Sequence, residues 1–305
     1  MDFDIENNGN DIVVSIGDDD KKSQATIYFE HTPQKDGQNI GCIGNIEIND
    51  MSVGVDLINK CTQLLIEKGI KHIVAPMSGN TWKKYRTMKY SNGDSLFLLE
   101  NVDPIEYNEL FKNAGFEEIG TYTSNKGLIA DAFYSEIISI QENEIEQEGI
   151  TIRKFDKENY RRDLEKIYNI SKDSFSRNPY YTPIDLESFI AQYEAYIQMV
   201  DEDFILICEK DGKEVAFVFC IPDFNELKEG KKLETLILKT IAVLPEYEDL
   251  AIGNILISKI AKVAKDKGFI NWIFAFMYKE NTSQKMAKRN KAEIMREYVL
   301  YAKDV

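Results

Sequence analysis

The order of apolar segments predicts an α+β protein of two successive domains, each a mixed, mainly antiparallel sheet flanked by helices. Three observations carry this. The chain has 305 residues, more than the roughly 250 at which a single core stops growing. In both halves short strand-like runs come first, and a segment of helical periodicity then leads into a further strand-like run. Between the halves lies Gln141 to Gly149, QENEIEQEG, an acidic stretch with little to bury, and strand-like sequence resumes at Ile150. The expected domains are residues 1–145 and 150–305.

In the first half, DIVVSIG, ATIYFEHT and IGCIGNIEI read as strands. A helix is expected from Val53 to Lys68, with Gly69 as its stop, and HIVAPM follows as a strand. Pro76 to Arg86, PMSGNTWKKYR, combines a Gly79-Asn80 turn with an N-cap signal at Thr81, and predicts a short helix carrying Trp82, Tyr85 and Arg86. Aromatic rings and a guanidinium on one corner mark Asn80, Thr81, Trp82, Tyr85 and Arg86 as candidates for a substrate pocket or a domain interface. The later PIEYNELFKNAGFEEIGTYTS predicts a helix ending at Gly115 and a strand beyond it.

The second half reads as strand ITIRKF, helices Arg162 to Phe175 and Ile184 to Val200, and strand FILICEK. A Lys210-Asp211-Gly212-Lys213 turn closes a hairpin with EVAFVFCIP, because Asp-Gly between apolar runs supplies the positive φ that a two-residue turn needs. Next come strand LETLILKTIAVL, a helix opening near Gly253, strand INWIFAFMY, a helix from about Asn281 and strand EYVLYAK. Ile252, Leu256, Ile260 and Val263 lie three and four residues apart, so they form the inner face of the helix that ends at Lys267-Gly268.

Composition removes several function classes. The net charge of −15 opposes nucleic-acid binding, which needs a clustered cationic face, and slightly favours a cationic acceptor. Cys42, Cys61, Cys208 and Cys220 never stand as C-x-x-C, so neither a zinc site nor a disulfide framework is expected. His31 and His72 both lie in the first quarter, which disfavours a histidine-based hydrolase or metal centre in the second half. No basic-then-apolar leader opens the chain, and no apolar run approaches the ~20 residues that span a bilayer. A cytoplasmic, membrane-free protein is expected, with no metal and no nucleic-acid partner; oligomeric state is left open.

Chemistry is concentrated in Ile241 to Leu256, IAVLPEYEDLAIGNIL, where a strand runs through proline into a tight turn and directly into a helix. The first N–H groups of such a helix have no intrahelical partner and, with the helix dipole, suit a pyrophosphate. Small residues at Ala251 and Gly253 let phosphates approach the backbone. Through Val243, Pro245, Ala251 and Gly253 this segment resembles the V-x-P-x-x-[RQ]-x-x-G-x-[GA] signature of the GNAT acetyltransferases, with Glu248 and Asp249 standing where that family carries Arg or Gln and then Gly.

The resemblance implies two tandem GNAT-like domains, the first degenerate and the second binding acetyl-CoA or another acyl-CoA. It places the pantetheine arm along Ile241, Ala242 and Val243, and the phosphates at Glu248, Asp249, Leu250, Ala251, Ile252, Gly253 and Asn254. It also makes Asn281 the asparagine after the fifth strand, puts Lys288 where the family often has an acid tyrosine, and leaves Lys285, Lys288 and Arg289 to meet cofactor phosphates. Glu234 is the candidate base by the same analogy. The first half, through PMSGNTWKKYR, resembles a group of uncharacterised tandem GNAT-like proteins. Its NDMSVGVDL lacks the proline turn, so one cofactor site per chain is expected. The implied activity is direct transfer of an acetyl or short acyl group to a primary amine, of a small molecule or peptide. The alternative is a GNAT-fold protein that binds acyl-CoA or a partner without catalysis.

Overall fold

The computed structural model describes all residues except 1, 19, 20, 132–135, 195 and 198. The first half contributes β1 (Phe3–Asn7), β2 (Asp11–Ile16), β3 (Ser23–Tyr28), a two-residue hairpin of β4 (Gln34–Lys35) and β5 (Gln38–Asn39), and β6 (Gly41–Glu47). Helix α1 (Gly54–Glu67), β7 (His72–Ala75), β8 (Thr87–Ser91), α2 (Tyr107–Asn113) and β9 (Glu117–Leu128) follow. The second half contributes α3 (Glu136–Gln147), β10 (Ile150–Lys154), α4 (Tyr160–Phe175), α5 (Leu186–Glu194), β11 (Ile205–Lys210), β12 (Lys213–Pro222) and α6 (Asn225–Lys228). It continues with β13 (Thr235–Val243), α7 (Ile252–Asp266), β14 (Asn271–Tyr278), α8 (Ser283–Arg289) and β15 (Glu293–Asp304).

Among the described residues thirteen strands form one sheet, in the order β1-β2-β3-β6-β7-β15-β9-β14-β13-β12-β11-β10, with β8 beside β15. The fold is thus α+β, with each half a mixed sheet flanked by helices. The two halves exchange strands. The last strand of the chain, β15, runs antiparallel between β7 and β9, and β9 in turn pairs with β14 of the second half. Each half is therefore completed by a strand of the other.

The cores follow from this exchange. Val299 and Tyr301 of β15 lie in the first-half core with Leu57, Ile58 and Leu65 of α1 and Leu110 and Phe111 of α2. In the second half, the inner face of α7 expected from its spacing, Ile252, Leu256 and Ile260, is buried against one side of the sheet. Helices α4 and α5 cover the other side through Ile167, Ile170, Phe189 and Ile190.

Three sequence expectations are corrected here. The acidic stretch 141–149 is mostly helix α3, and Ile145, 1% exposed, packs with Ile138 into the second-half core, so its spaced isoleucines outweigh its charge. The helix expected over Ile184 to Val200 is regular only over Leu186–Glu194. The segment after Pro76 is not helical: a bridge between Met77 and Tyr85 and a 2.9 Å bond from Ser78 N–H to the Lys84 carbonyl close it as a broad turn, and Asn80 Oδ1 accepts from Trp82 N–H within it at 3.0 Å. Among the described residues no helix is long and apolar enough to cross a membrane.

Candidate active site

Strand β13 pairs in parallel with β14 from Thr235 to Leu238, opposite Asn271 to Phe274, and no farther. Beyond that point two irregularities turn the strands apart. Lys239 is bulged out of the β12–β13 register, which steps from Thr240 to Leu238 across Phe219 and Cys220. On β14, Phe276 takes a left-handed φ of 54° and its N–H donates to Ser124 Oγ of β9 at 3.1 Å. The edge of β13 from Lys239 to Val243 is thereby left facing a cavity of about 890 Å³ between the splayed strands.

Past Val243 the chain makes a 3₁₀ turn over Pro245–Leu250, and Ala251, at φ 54° and ψ 18°, reverses it directly into α7. A left-handed backbone explains why glycine is favoured there, since alanine holds it at a cost of about 1–2 kcal/mol. At Gly253 an added Cβ would lie 3.2 Å from Met286 Cε and 3.7 Å from Ile241 Cδ1. The absent side chain keeps open the groove between α7, α8 and β13.

The cavity wall brings together most of the residues singled out from the sequence: Ile241, Ala242 and Val243; Glu248, Asp249, Ala251, Gly253 and Asn254; Asn281 and Lys285; and Thr81, Trp82, Tyr85 and Arg86. Leu250 and Ile252 are absent from the wall, Ile252 being 1% exposed in the core. Lys288 is exposed on α8 outside it, whereas Arg289 reaches it and donates to Asn254 Oδ1 at 3.4 Å. The structure does not bring Glu234 there. That residue precedes β13 at the end opposite the turn, where its carbonyl accepts from the N–H groups of Ile270 and Asn271 at 2.8 and 2.9 Å. Asn80 stands behind the wall, orienting Trp82.

The first-half corner is fastened to the second half by Trp82. Its indole N–H donates to the Thr182 carbonyl at 2.7 Å, and its ring meets Phe189 edge-on at 5.7 Å. The chain around Arg86 is strained, at φ 83°, and pinned by bonds from its N–H to the Pro76 carbonyl and from Asp103 N–H to its own carbonyl. Its guanidinium projects into the cavity among Tyr85, Tyr122 and Phe276.

Sequence reasoning did not single out Lys239. Its signal was present, as the one charge inside the apolar run LILKTIAV. Lys239 is partly exposed, lines the cavity, and burial from bulk solvent together with the nearby Arg86 charge pushes its ammonium down to about 8. Tyr122 and Phe276 were also missed, because strands far apart in the chain carry them to the wall.

The corresponding places in the first half are filled. Beyond the short β6–β7 pairing at Gly41 and Cys42, the edge of β6 is covered by the chain's own Met77 and Ser78: Met77 N–H donates to the Ile43 carbonyl at 2.7 Å, and a Cβ on Gly44 would lie 2.4 Å from the Met77 carbonyl oxygen. At the start of α1, a Cβ on Gly54 would lie 2.7 Å from Leu110 Cδ2.

Residues 164–290 match the model of the acetyltransferase (GNAT) family. An uncharacterised N-acetyltransferase of Methanocaldococcus jannaschii is 31% identical over 124 residues, which cover 34% of this chain and 53% of that protein. The chain thus spans about half the length of this curated relative. Among solved structures, the GCN5-related glucosamine N-acetyltransferase region of a fungal multi-domain GH3 β-N-acetylglucosaminidase superposes with a TM-score of 0.60 at 11% identity, covering 96% of this chain and 33% of that one. A tandem GNAT protein of the clavulanic acid biosynthesis pathway superposes with a TM-score of 0.54 at 7% identity, covering 96% and 82% of the two chains. At such identities these two likenesses show the fold alone. The GNAT family match thus covers residues 164–290, and the likeness in fold to a tandem GNAT protein extends over nearly the whole chain.

Proposed function

We propose that the protein transfers an acetyl or other short acyl group from acyl-CoA to a primary amine of a small molecule or peptide, by direct attack, at one site formed by residues 164–290 and the Trp82–Arg86 corner. The observation that carries this reading is the open edge of β13 beyond Leu238, leading along one cavity to the start of α7. Extended backbone edges accept an added strand, so Ile241 to Val243 would hold a pantetheine arm. The first N–H groups of α7 would meet the pyrophosphate, with Lys285 and Arg289 of the wall adding positive charge. When bound, acyl-CoA supplies an activated thioester.

The chain's own part in the reaction is to align the acceptor and take its proton. A protonated amine has no lone pair, so a base within reach is required. Lys239 is the group we assign to this role in place of Glu234, because it lines the splay and is partly neutral near pH 8. Glu248 and Asp249 line the turn side of the cavity; their bearing on cofactor affinity is part of the test.

Calorimetric titration with acetyl-CoA should give saturable binding near one site per chain. Gly253→Ala should retain it, since the Met286 methyl can yield, and Gly253→Leu should lose it by filling the groove. Absence of binding to the wild-type chain overturns the proposal. Binding without thiol release across a broad amine panel would instead identify an acyl-CoA-binding protein that does not catalyse transfer.

A further inference from the structure

Arg86 is 8% exposed, yet among the described residues it has neither an ion pair nor a side-chain hydrogen bond, and its Nε and Nη1 are buried without a partner. Its surroundings are aromatic: the guanidinium carbon lies 3.8 Å from the ring centroid of Tyr85, 4.5 Å from that of Tyr122 and 4.6 Å from that of Phe276. Asp103, which bridges to the neighbouring Thr87, is paired with Lys84 Nζ at 2.6 Å. A buried guanidinium without a counter-charge is costly, because its donors give up water and gain no acceptor. The strained φ of 83° adds to that cost. What it gains is a position: Arg86 and Lys239 both line the cavity where β13 and β14 separate. The carboxylates of the wall, Glu248, Asp249 and Glu280, belong to the turn and to the loop after β14.

From this geometry we infer that the splayed end of the cavity is a carboxylate subsite, in which the guanidinium of Arg86, which has no acceptor among the described residues, binds a carboxylate on a substrate, between aromatic walls. The fork of a guanidinium matches the two oxygens of a carboxylate, whereas an ammonium group alone would not orient it. The inference rests on the acyl-transfer reading for the kind of substrate, and it reverses the preference for cationic acceptors that the net charge of the whole chain suggests. The carboxylate has two sources, an amine acceptor that carries one, such as an amino acid, or the acyl group of a dicarboxylic thioester.

The test uses binding, so that it does not depend on turnover. The full chain is titrated calorimetrically, with and without CoA, with 3-phenylpropanoate and with 3-phenylpropan-1-ol, which differ in the carboxylate. In the second arm succinyl-CoA is compared with acetyl-CoA. The proposal expects the carboxylate member of one pair to bind at least about tenfold more tightly, in the range of charge-assisted hydrogen bonds. Preference in the first arm assigns the carboxylate to the acceptor, and preference in the second assigns it to the acyl group. Equal affinity within both pairs overturns it.

In Arg86→Met the preference should fall to within about twofold while the melting temperature holds or rises, because an uncompensated charge has been removed. A lower melting temperature with the preference intact would make Arg86 a packing residue and overturn the proposal. Should Arg86→Met not fold, Arg86→Lys decides: a reduced preference supports the inference and an unchanged one sinks it. Failure of acetyl-CoA to bind while 3-phenylpropanoate is preferred would count against the acyl-transfer reading alone.

Discussion

At the scale of single residues, Lys239 bears most directly on the proposed chemistry of the candidate site. Neutral Lys239 is proposed as the base, so Lys239→Met should lower kcat by about 10²-fold or more and abolish a pH–rate limb near 8. Stability gives an independent reading of the same residue. The folded chain releases this proton near pH 8, whereas an unfolded lysine holds it to about 10.4. The unfolded state therefore binds more protons between those values, and stability rises with pH there. The penalty for the buried charge is complete below pH 8 and relieved as pH approaches 10.4. Measured as the difference in unfolding free energy between wild type and Lys239→Met, the wild type should gain from pH 7.5 to 9.5; a flat difference would refute the depressed ammonium. The sequence marked Lys239 only as a charge in an apolar strand, since the Arg86 charge that acts on it lies in the other half.

At the scale of elements, the strand–turn–helix unit from β13 to α7 was legible because its signals are local. Proline ended the strand, the small Ala251 reversed the chain into the helix, and three-and-four spacing defined the buried face of α7. The left-handed turn residue is where this unit is most sensitive. Ala251→Val places a β-branched side chain at φ 54° and should destabilise the chain by about 1–3 kcal/mol, with weakened acetyl-CoA binding; Ala251→Gly should leave stability within about 1 kcal/mol of wild type. Denaturant titration of both variants checks this. The Pro76–Arg86 corner was read correctly in its composition and wrongly as a short helix. Its conformation is set by the Met77–Tyr85 bridge within it and by the anchoring of Trp82 to Thr182, a contact that no local window of sequence contains.

For the whole molecule, the exchange of β9 and β15 makes the two halves dependent on each other. A fragment of residues 150–305 would leave the edge of β14 without β9, and β15 would lack both of its flanking strands, β7 and β9. Such a fragment should be insoluble or molten when expressed alone, and co-expression with residues 1–149 should restore a cooperative complex. Independent two-state folding of the fragment would show that the exchange is dispensable. The same exchange builds the site, since β9 supplies Tyr122 to the wall and Ser124 to the bulge at Phe276. By itself, the sequence determined most element types, the α+β class, the strand–proline–turn–helix unit and the resemblance to the GNAT acetyltransferases, because periodicity, capping and turn chemistry act within a few residues. Only the tertiary structure decided which strand lies beside which, and hence that Arg86 and Lys239 line one cavity while Glu234 does not. Two antiparallel strands of similar pattern satisfy the backbone equally well on several edges, and the choice among edges is made by side-chain packing across the whole sheet.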